Sequence, residues 1–245
     1  MIEAIRAGRR RIFEVELPDQ RSTPGLRELS ALLEERGIPT RSSSEAARAP
    51  AERLRVRARC EPFREESLEV LLGQSGPRLL VALDRVTDVG NLGSIARSSE
   101  AAGFSGLVLE HRHAPPIGPA AIRASAGALE HLRVGRTPNL ARGLDLARAE
   151  GLRVFASEAG APPIESLAPE SLMGELIWVF GSEDRGIREQ VRMRADEMVG
   201  IPLAGRVDSL GVAAAAAFLL LRVAEVRRRE WKGASECRIH TRPAL

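Results

Sequence analysis

A chain of 245 residues, 44% hydrophobic and 28% charged, has the composition of a folded protein with one large domain or one medium domain and a small partner. A disordered chain, a collagen-like chain and a disulfide-stapled miniprotein are excluded. No apolar run approaches the ~20 residues of a membrane span. The formal net charge is only +3, and Lys232 is the only lysine, so the arginine excess reads as GC-rich coding and the pI of 9.6 as a mild hint of a nucleic-acid partner.

The N-terminus has no apolar signal core or small-residue cleavage site, which points to the cytoplasm. Cys60 and Cys237 lie far apart and are expected as unpaired thiols. His111 and His113 form an isolated pair with no third ligand nearby, so no metal site is expected. Tyrosine is absent and aromatic residues are 3%, which argues against a broad base-stacking surface.

Residues 1–72 read as a small α/β unit. Phe13, Val15 and Leu17 alternate with charged residues, the period of a half-buried strand over 11–17. Leu26, Leu29, Leu32 and Leu33 have helical spacing, ended by Gly37 and Pro39. A short strand is expected over 38–41, and an Ala/Arg-rich helix over 46–59, broken near Pro50. The turn formers of 73–77 mark the linker.

Strands and helices then alternate through 78–232. Strands are expected at 79–83, 106–109, 132–134, 153–157, 176–180 and 198–201. Helices are expected at 91–102, 120–128, 139–150, 187–194 and 208–229. This rhythm predicts an α/β fold with a mainly parallel sheet covered on both faces. Residues 233–245 read as a polar tail.

In such a sheet, ligands bind at the carboxyl ends of strands. Three strand ends run into specific segments, 84–97 (DRVTDVGNLGSIAR), 181–186 (GSEDRG) and 201–211 (IPLAGRVDSLG). None contains a dinucleotide or nucleotide phosphate cradle. Asn91 is either a helix cap or a ligand-facing amide. On one helix it lies about 240° from Arg97, so the two converge on a ligand only if Asn91 belongs to the loop. Glu183 is either a site carboxylate or a first-turn acid of the next helix. Asp208 or Ser209 is a natural N-cap for the last helix. Its small-sided run, Ala213–Ala217, suits close packing.

In this order and spacing, the segments resemble the SpoU (TrmH) family of RNA ribose 2′-O-methyltransferases, within the SPOUT class. The resemblance rests on Asn91-Leu92-Gly93-Ser94-Ile95-Ala96-Arg97, on Gly181-Ser182-Glu183-Asp184-Arg185-Gly186, and on Ile201-Pro202 followed by Ser209-Leu210-Gly211 before an alanine-rich helix. The runs 124–130 and 137–140 are similar to the branch acting on large-subunit ribosomal RNA guanosine. Residues 1–72 look like a shortened form of that branch's RNA-binding domain.

The resemblance implies a C-terminal trefoil knot, a rare exception to unthreaded connections. It implies S-adenosylmethionine held near Phe180, Gly181, Ile201, Pro202 and Leu210. It also implies a homodimer through the knot and last helix, with ribosomal or transfer RNA as substrate. Arg97 is then the expected clamp on the developing alkoxide, with base action as the alternative, since a guanidinium does not readily yield its proton. Asn91, Glu183 and Ser209 are expected to orient the reacting groups. The family's usual Asn is replaced by Gly211, which raises a catalytically weakened RNA-binding protein as the competing reading.

Overall fold

The computed structural model describes residues 1–18, 23–43, 56–206 and 209–231. The N-terminal unit comprises α1 (Ile2–Ala7), β1 (Ile12–Pro18), α2 (Pro24–Glu35), β2 (Thr40–Ser43) and β3 (Arg57–Cys60). Its sheet has the order β2-β1-β3, parallel on one side and antiparallel on the other. The alternation in β1 turns Val15 and Leu17 onto Leu29 and Leu33 of α2 and Ile5 of α1, which form the small core.

The strand β3 corrects the helix expected over 46–59. Ala58 and Cys60 are half-buried while Arg57 and Arg59 are exposed, a period of two. Pairing of Ala58 with Val15 and Cys60 with Ile12 overrides the helical preference of Ala and Arg. Residues 46–55 of that expectation lie outside the described residues.

The larger unit continues with β4 (Glu66–Ser67), α3 (Leu68–Leu72), β5 (Leu79–Asp84), α4 (Val89–Ala101), β6 (Gly106–Glu110), α5 (Pro119–Ala124) and β7 (Arg133–Thr137). It ends with α6 (Leu140–Ala149), β8 (Arg153–Ser157), β9 (Leu176–Gly181), α7 (Glu189–Arg192), β10 (Glu197–Val199) and α8 (Val212–Trp231). The seven strands run in the order β10-β8-β9-β5-β6-β7-β4, and every pair is parallel. The expected α/β class is therefore observed.

Both faces of this sheet are covered, so its central strands are continuously apolar. On one face Val81, Leu83, Trp178 and Phe180 meet α4 and α8. On the other, Leu80, Ala82, Ile177 and Val179 meet α3 and α6. Phe155 and Trp178 stack with centroids 5.1 Å apart, and the Trp178 indole N–H donates to Ser157 Oγ at 2.8 Å.

Residues 66–72 depart from the expected partition at 73–77. Glu66 and Ser67 pair with β7, and Leu68, Leu71 and Leu72 are buried in the core of the large sheet. Arg133 fixes this edge by donating from Nε to Glu66 Oε1 at 2.7 Å. The N-terminal segment also docks on the large unit. Glu3 contacts His131 Nε2 at 2.7 Å, Arg9 Nη1 donates to the Leu132 carbonyl at 2.6 Å, and Arg10 pairs with the buried Glu130.

Among the described residues no helix is long and apolar enough to cross a membrane. The tail 233–245 lies outside them.

Candidate active site

The sheet's switch point lies between β5 and β9, where successive connections leave in opposite directions. Asp84 and Gly181 are register partners there, at the carboxyl ends of their strands. Asp84 is fully buried, and Arg188 neutralises it. The Arg188 backbone N–H donates to Asp84 Oδ2 at 2.8 Å, and its Nε donates to Oδ1 at 2.6 Å.

The same guanidinium reaches Glu110 Oε1, at the end of β6, at 2.7 Å. Glu110 Oε1 also accepts from the Leu140 N–H at 2.9 Å, where α6 begins. Burial works against the Arg188 charge, but the hydrogen bonds to Asp84 and Glu110 outweigh it and hold its pKa above the ordinary guanidinium value. This network anchors the chain just after the GSEDRG turn.

The turn itself folds back on the strand end, with Ser182 and Gly186 exchanging backbone hydrogen bonds at 2.9 and 3.1 Å. A Cβ at Gly181 would stand 2.2 Å from the Gly186 carbonyl carbon, so only glycine permits this fold-back. Glu183 belongs to the turn, well ahead of α7, and its Oε1 accepts from the Val212 N–H at 3.3 Å. It thereby satisfies an end donor of α8 from a distant segment.

This corrects the expected helix start. α8 begins at Val212, with Ser209 ahead of it, while Asp208 lies outside the described residues.

A cavity of about 770 Å³ opens between the turn, the 201–211 segment and the start of α8. Phe180, Gly181, Ile201, Pro202 and Leu210 all line it, together with Glu183 and Ser209. Its size is that of a small-molecule site. Sequence reasoning missed a further wall, formed by Ser157 at the end of β8 and by residues 158–161 after it. That strand end is followed by Gly160, with φ +77°, the one signal that marks it.

A smaller cavity of about 230 Å³ adjoins it and shares Ser182, Glu183, Arg185 and Val212. It is also lined by Arg85 and Asn91. Asn91 lies inside α4, where its backbone N–H donates to the capping Asp88 Oδ1 at 2.7 Å. The loop placement needed for Asn91 and Arg97 to converge is therefore not observed. Arg97 is exposed further along the helix and lines neither cavity. Gly93, between them, is a packing residue, since a Cβ there would stand 2.3 Å from that of Ala124 in α5.

Gly211 sits where a Cβ would be 3.2 Å from Glu183 Oε1. The exposed Glu183 side chain can yield the few tenths of an ångström required. Gly211→Asn is therefore expected to keep affinity for the methyl donor that the resemblance implies within about threefold, and turnover equal or higher, because an added amide there can pair with a polar neighbour. Titration and transfer assays beside Asp208→Ala check this. Lost binding in Gly211→Asn with an inactive Asp208→Ala would mean a loop repacked around glycine.

Residues 78–221 match the model of the SpoU rRNA Methylase family. An uncharacterized tRNA/rRNA methyltransferase of Mycobacterium avium (strain 104) is 39% identical over 166 residues, 67% of this chain and 52% of that protein. The chain thus spans about half the length of the curated relatives it matches. The SpoU methyltransferase AviRb from Streptomyces viridochromogenes, solved in complex with the cofactor AdoMet, superposes with a TM-score of 0.74 at 24% identity, covering 94% of this chain and 87% of that one.

The AdoMet-bound rRNA methyltransferase from Sinorhizobium meliloti gives a TM-score of 0.71 at 26% identity, covering 94% and 85%. With its model matched over more than half of its length, the chain belongs to the SpoU rRNA methylase family.

Proposed function

We propose that this protein transfers a methyl group from S-adenosylmethionine to a ribose 2′-hydroxyl of structured RNA, with a guanosine of large-subunit ribosomal RNA as the favoured target. The observation that carries the reading is the pair of adjoining cavities at the switch point. The larger is lined mostly by glycine and apolar residues, with Glu158, Glu183 and Arg185 among its polar ones, and has the size for the methyl donor; the smaller is polar and opens beside it. Support for the donor comes from two similar structures solved with AdoMet, and for RNA from relatives described as tRNA/rRNA methyltransferases. A transfer RNA target is the second reading, favoured by that same description.

When bound, S-adenosylmethionine supplies an electrophilic methyl group on a sulfonium. The residues that would hold it are Phe180, Gly181, Ile201, Pro202 and Leu210. A 2′-hydroxyl is a weak nucleophile near neutral pH, so the protein must stabilise negative charge on that oxygen and fix its approach. Asn91 orients the hydroxyl from the smaller cavity. Glu183 and Ser209 fix the rim between the two cavities, and Arg97 is the positive clamp.

Because Arg97 lies outside both cavities of its own chain, the reading requires a second chain to bring it in. A homodimer through α8 and the preceding loops answers this. Phe218 and Leu221 are 40% and 49% exposed one helical turn apart on α8, and Leu210 is 44% exposed just before it. The reading includes a trefoil knot in the C-terminal half, supported by the likeness to SpoU structures.

It also assigns the N-terminal unit to RNA binding. There the guanidinium groups of Arg11 and Arg59 each lie 5.4 Å from the Phe13 ring centroid, a local surface for phosphate and base contacts.

Light scattering at micromolar concentration is expected to give twice the 26.5 kDa chain mass. Phe218→Glu is expected to shift it toward one chain, since a stable interface of at least ~1,000 Å² does not tolerate a buried unpaired carboxylate. A monomeric wild type would contradict the dimer.

A further inference from the structure

The residue after β5 is held at a conformational cost that the fold alone does not explain. Arg85 has φ +60°, in the left-handed region that L side chains with a Cβ avoid. Its Nε is buried and has no hydrogen-bond partner, the one such side-chain atom among the described residues. His113 and Ala126 share the left-handed region, but only Arg85 combines it with an orphaned donor and a cavity, a combination found at ligand sites.

The surroundings sharpen the point. Arg85 lines the smaller cavity beside Asn91, at the switch point of the sheet. Three neighbouring carboxylates accept from other donors, and Asp184, which also lines the cavity, forms no ion pair with Arg85. Both oxygens of Asp84 accept from Arg188, Asp88 Oδ1 accepts from the Asn91 N–H, and Glu183 Oε1 accepts from the Val212 N–H. Arg85 forms an ion pair with none of them.

A guanidinium offers a planar set of donors that matches a phosphate oxygen pair. The larger cavity, assigned above to the methyl donor, does not include Arg85. An anion reaching Arg85 therefore enters from the side where the RNA must lie.

We propose that Arg85 binds a phosphodiester of the RNA strand next to the target ribose, and that its left-handed backbone is kept for this contact. The inference rests on the RNA-methyltransferase reading and deepens it. The bound phosphate supplies the partner that the Nε–H lacks, and fixes the nucleotide whose 2′-hydroxyl Asn91 faces.

The test compares wild type with Arg85→Ala, Arg85→Lys and Arg85→Gly. The probe is protein-free total ribosomal RNA from a strain lacking the gene. Filter binding, transfer kinetics, donor titration and thermal unfolding are read for each. Arg85→Ala is expected to raise KM for RNA about tenfold, to leave donor affinity within twofold, and to lower the salt slope of RNA binding by about one. Arg85→Lys, lacking the planar fork, is expected to recover only part of the loss.

Arg85→Gly is expected to lose RNA affinity as alanine does while unfolding at an equal or higher temperature, because glycine accepts the left-handed conformation. A merely structural Arg85 would move stability and leave the salt slope alone. Wild-type RNA affinity in Arg85→Gly would overturn the proposal. So would weakened donor binding with RNA affinity intact, which would put the donor's carboxylate on Arg85. A wild type that binds this RNA through Arg85 but methylates none would preserve the proposal and refute the reading beneath it.

Discussion

Replacing Arg97 by alanine is expected to lower methyl transfer by at least ~10²-fold, the scale of losing one electrostatic stabiliser. Affinity for S-adenosylmethionine should hardly change, because Arg97 does not line the larger cavity. Its place on α4 adds a second expectation. If the partner chain supplies Arg97, each active site combines Glu183 of one chain with Arg97 of the other.

Mixing Arg97→Ala chains with Glu183→Gln chains should then restore activity, since one site in each mixed dimer carries both native residues. Transfer in the mixture well above the mean of the two variants is the predicted result. An unchanged mean would place Arg97 in its own chain's site. Arg97→Ala retaining more than half of wild-type turnover would remove it from the mechanism altogether.

The second large effect concerns stability. Arg188→Ala would leave Asp84 fully buried and Glu110 nearly so, without their shared counter-charge. Breaking a buried pair from one side costs about 3–5 kcal/mol, because the remaining charge is desolvated and unpaired. For a chain of this size that corresponds to a thermal midpoint roughly 10 °C lower. The GSEDRG turn would also lose its anchor, so donor affinity should fall together with stability. Calorimetry and donor titration measure both. A midpoint within ~2 °C of wild type would show that the network contributes little.

The fold was legible where a pattern is local. The apolar runs at 79–83 and 176–180 identify strands covered on both faces, and helical spacing identifies α2 and α6. The pattern failed at Arg57–Cys60, where pairing with β1 decides the structure and the residues individually favour helix. It also failed at the last helix, whose first N–H is capped by Glu183, 29 positions earlier, so no local signal marked the start.

The cavities of the candidate site were legible to the same extent. Eight of the nine expected residues line the two cavities because they belong to segments at neighbouring strand ends. Arg97 does not, since Asn91 lies in the helix and not in the loop. The Asp84–Arg188–Glu110 network and the strained Arg85 escaped notice for a common reason. The network depends on burial and on partners up to 104 positions apart, and Arg85 on a backbone angle and a buried, unpaired Nε, none of which spacing along a chain reports.

The most direct test of the proposed activity is nucleoside analysis after transfer. Unmodified ribosomal RNA is incubated with the protein and S-adenosylmethionine carrying a labelled methyl group, then digested to nucleosides and resolved by mass spectrometry. The account predicts label on the ribose of a 2′-O-methylated nucleoside, guanosine above all, and its near-absence with Arg97→Ala. Label on a base, or no label in ribosomal or transfer RNA despite tight donor binding, would contradict it.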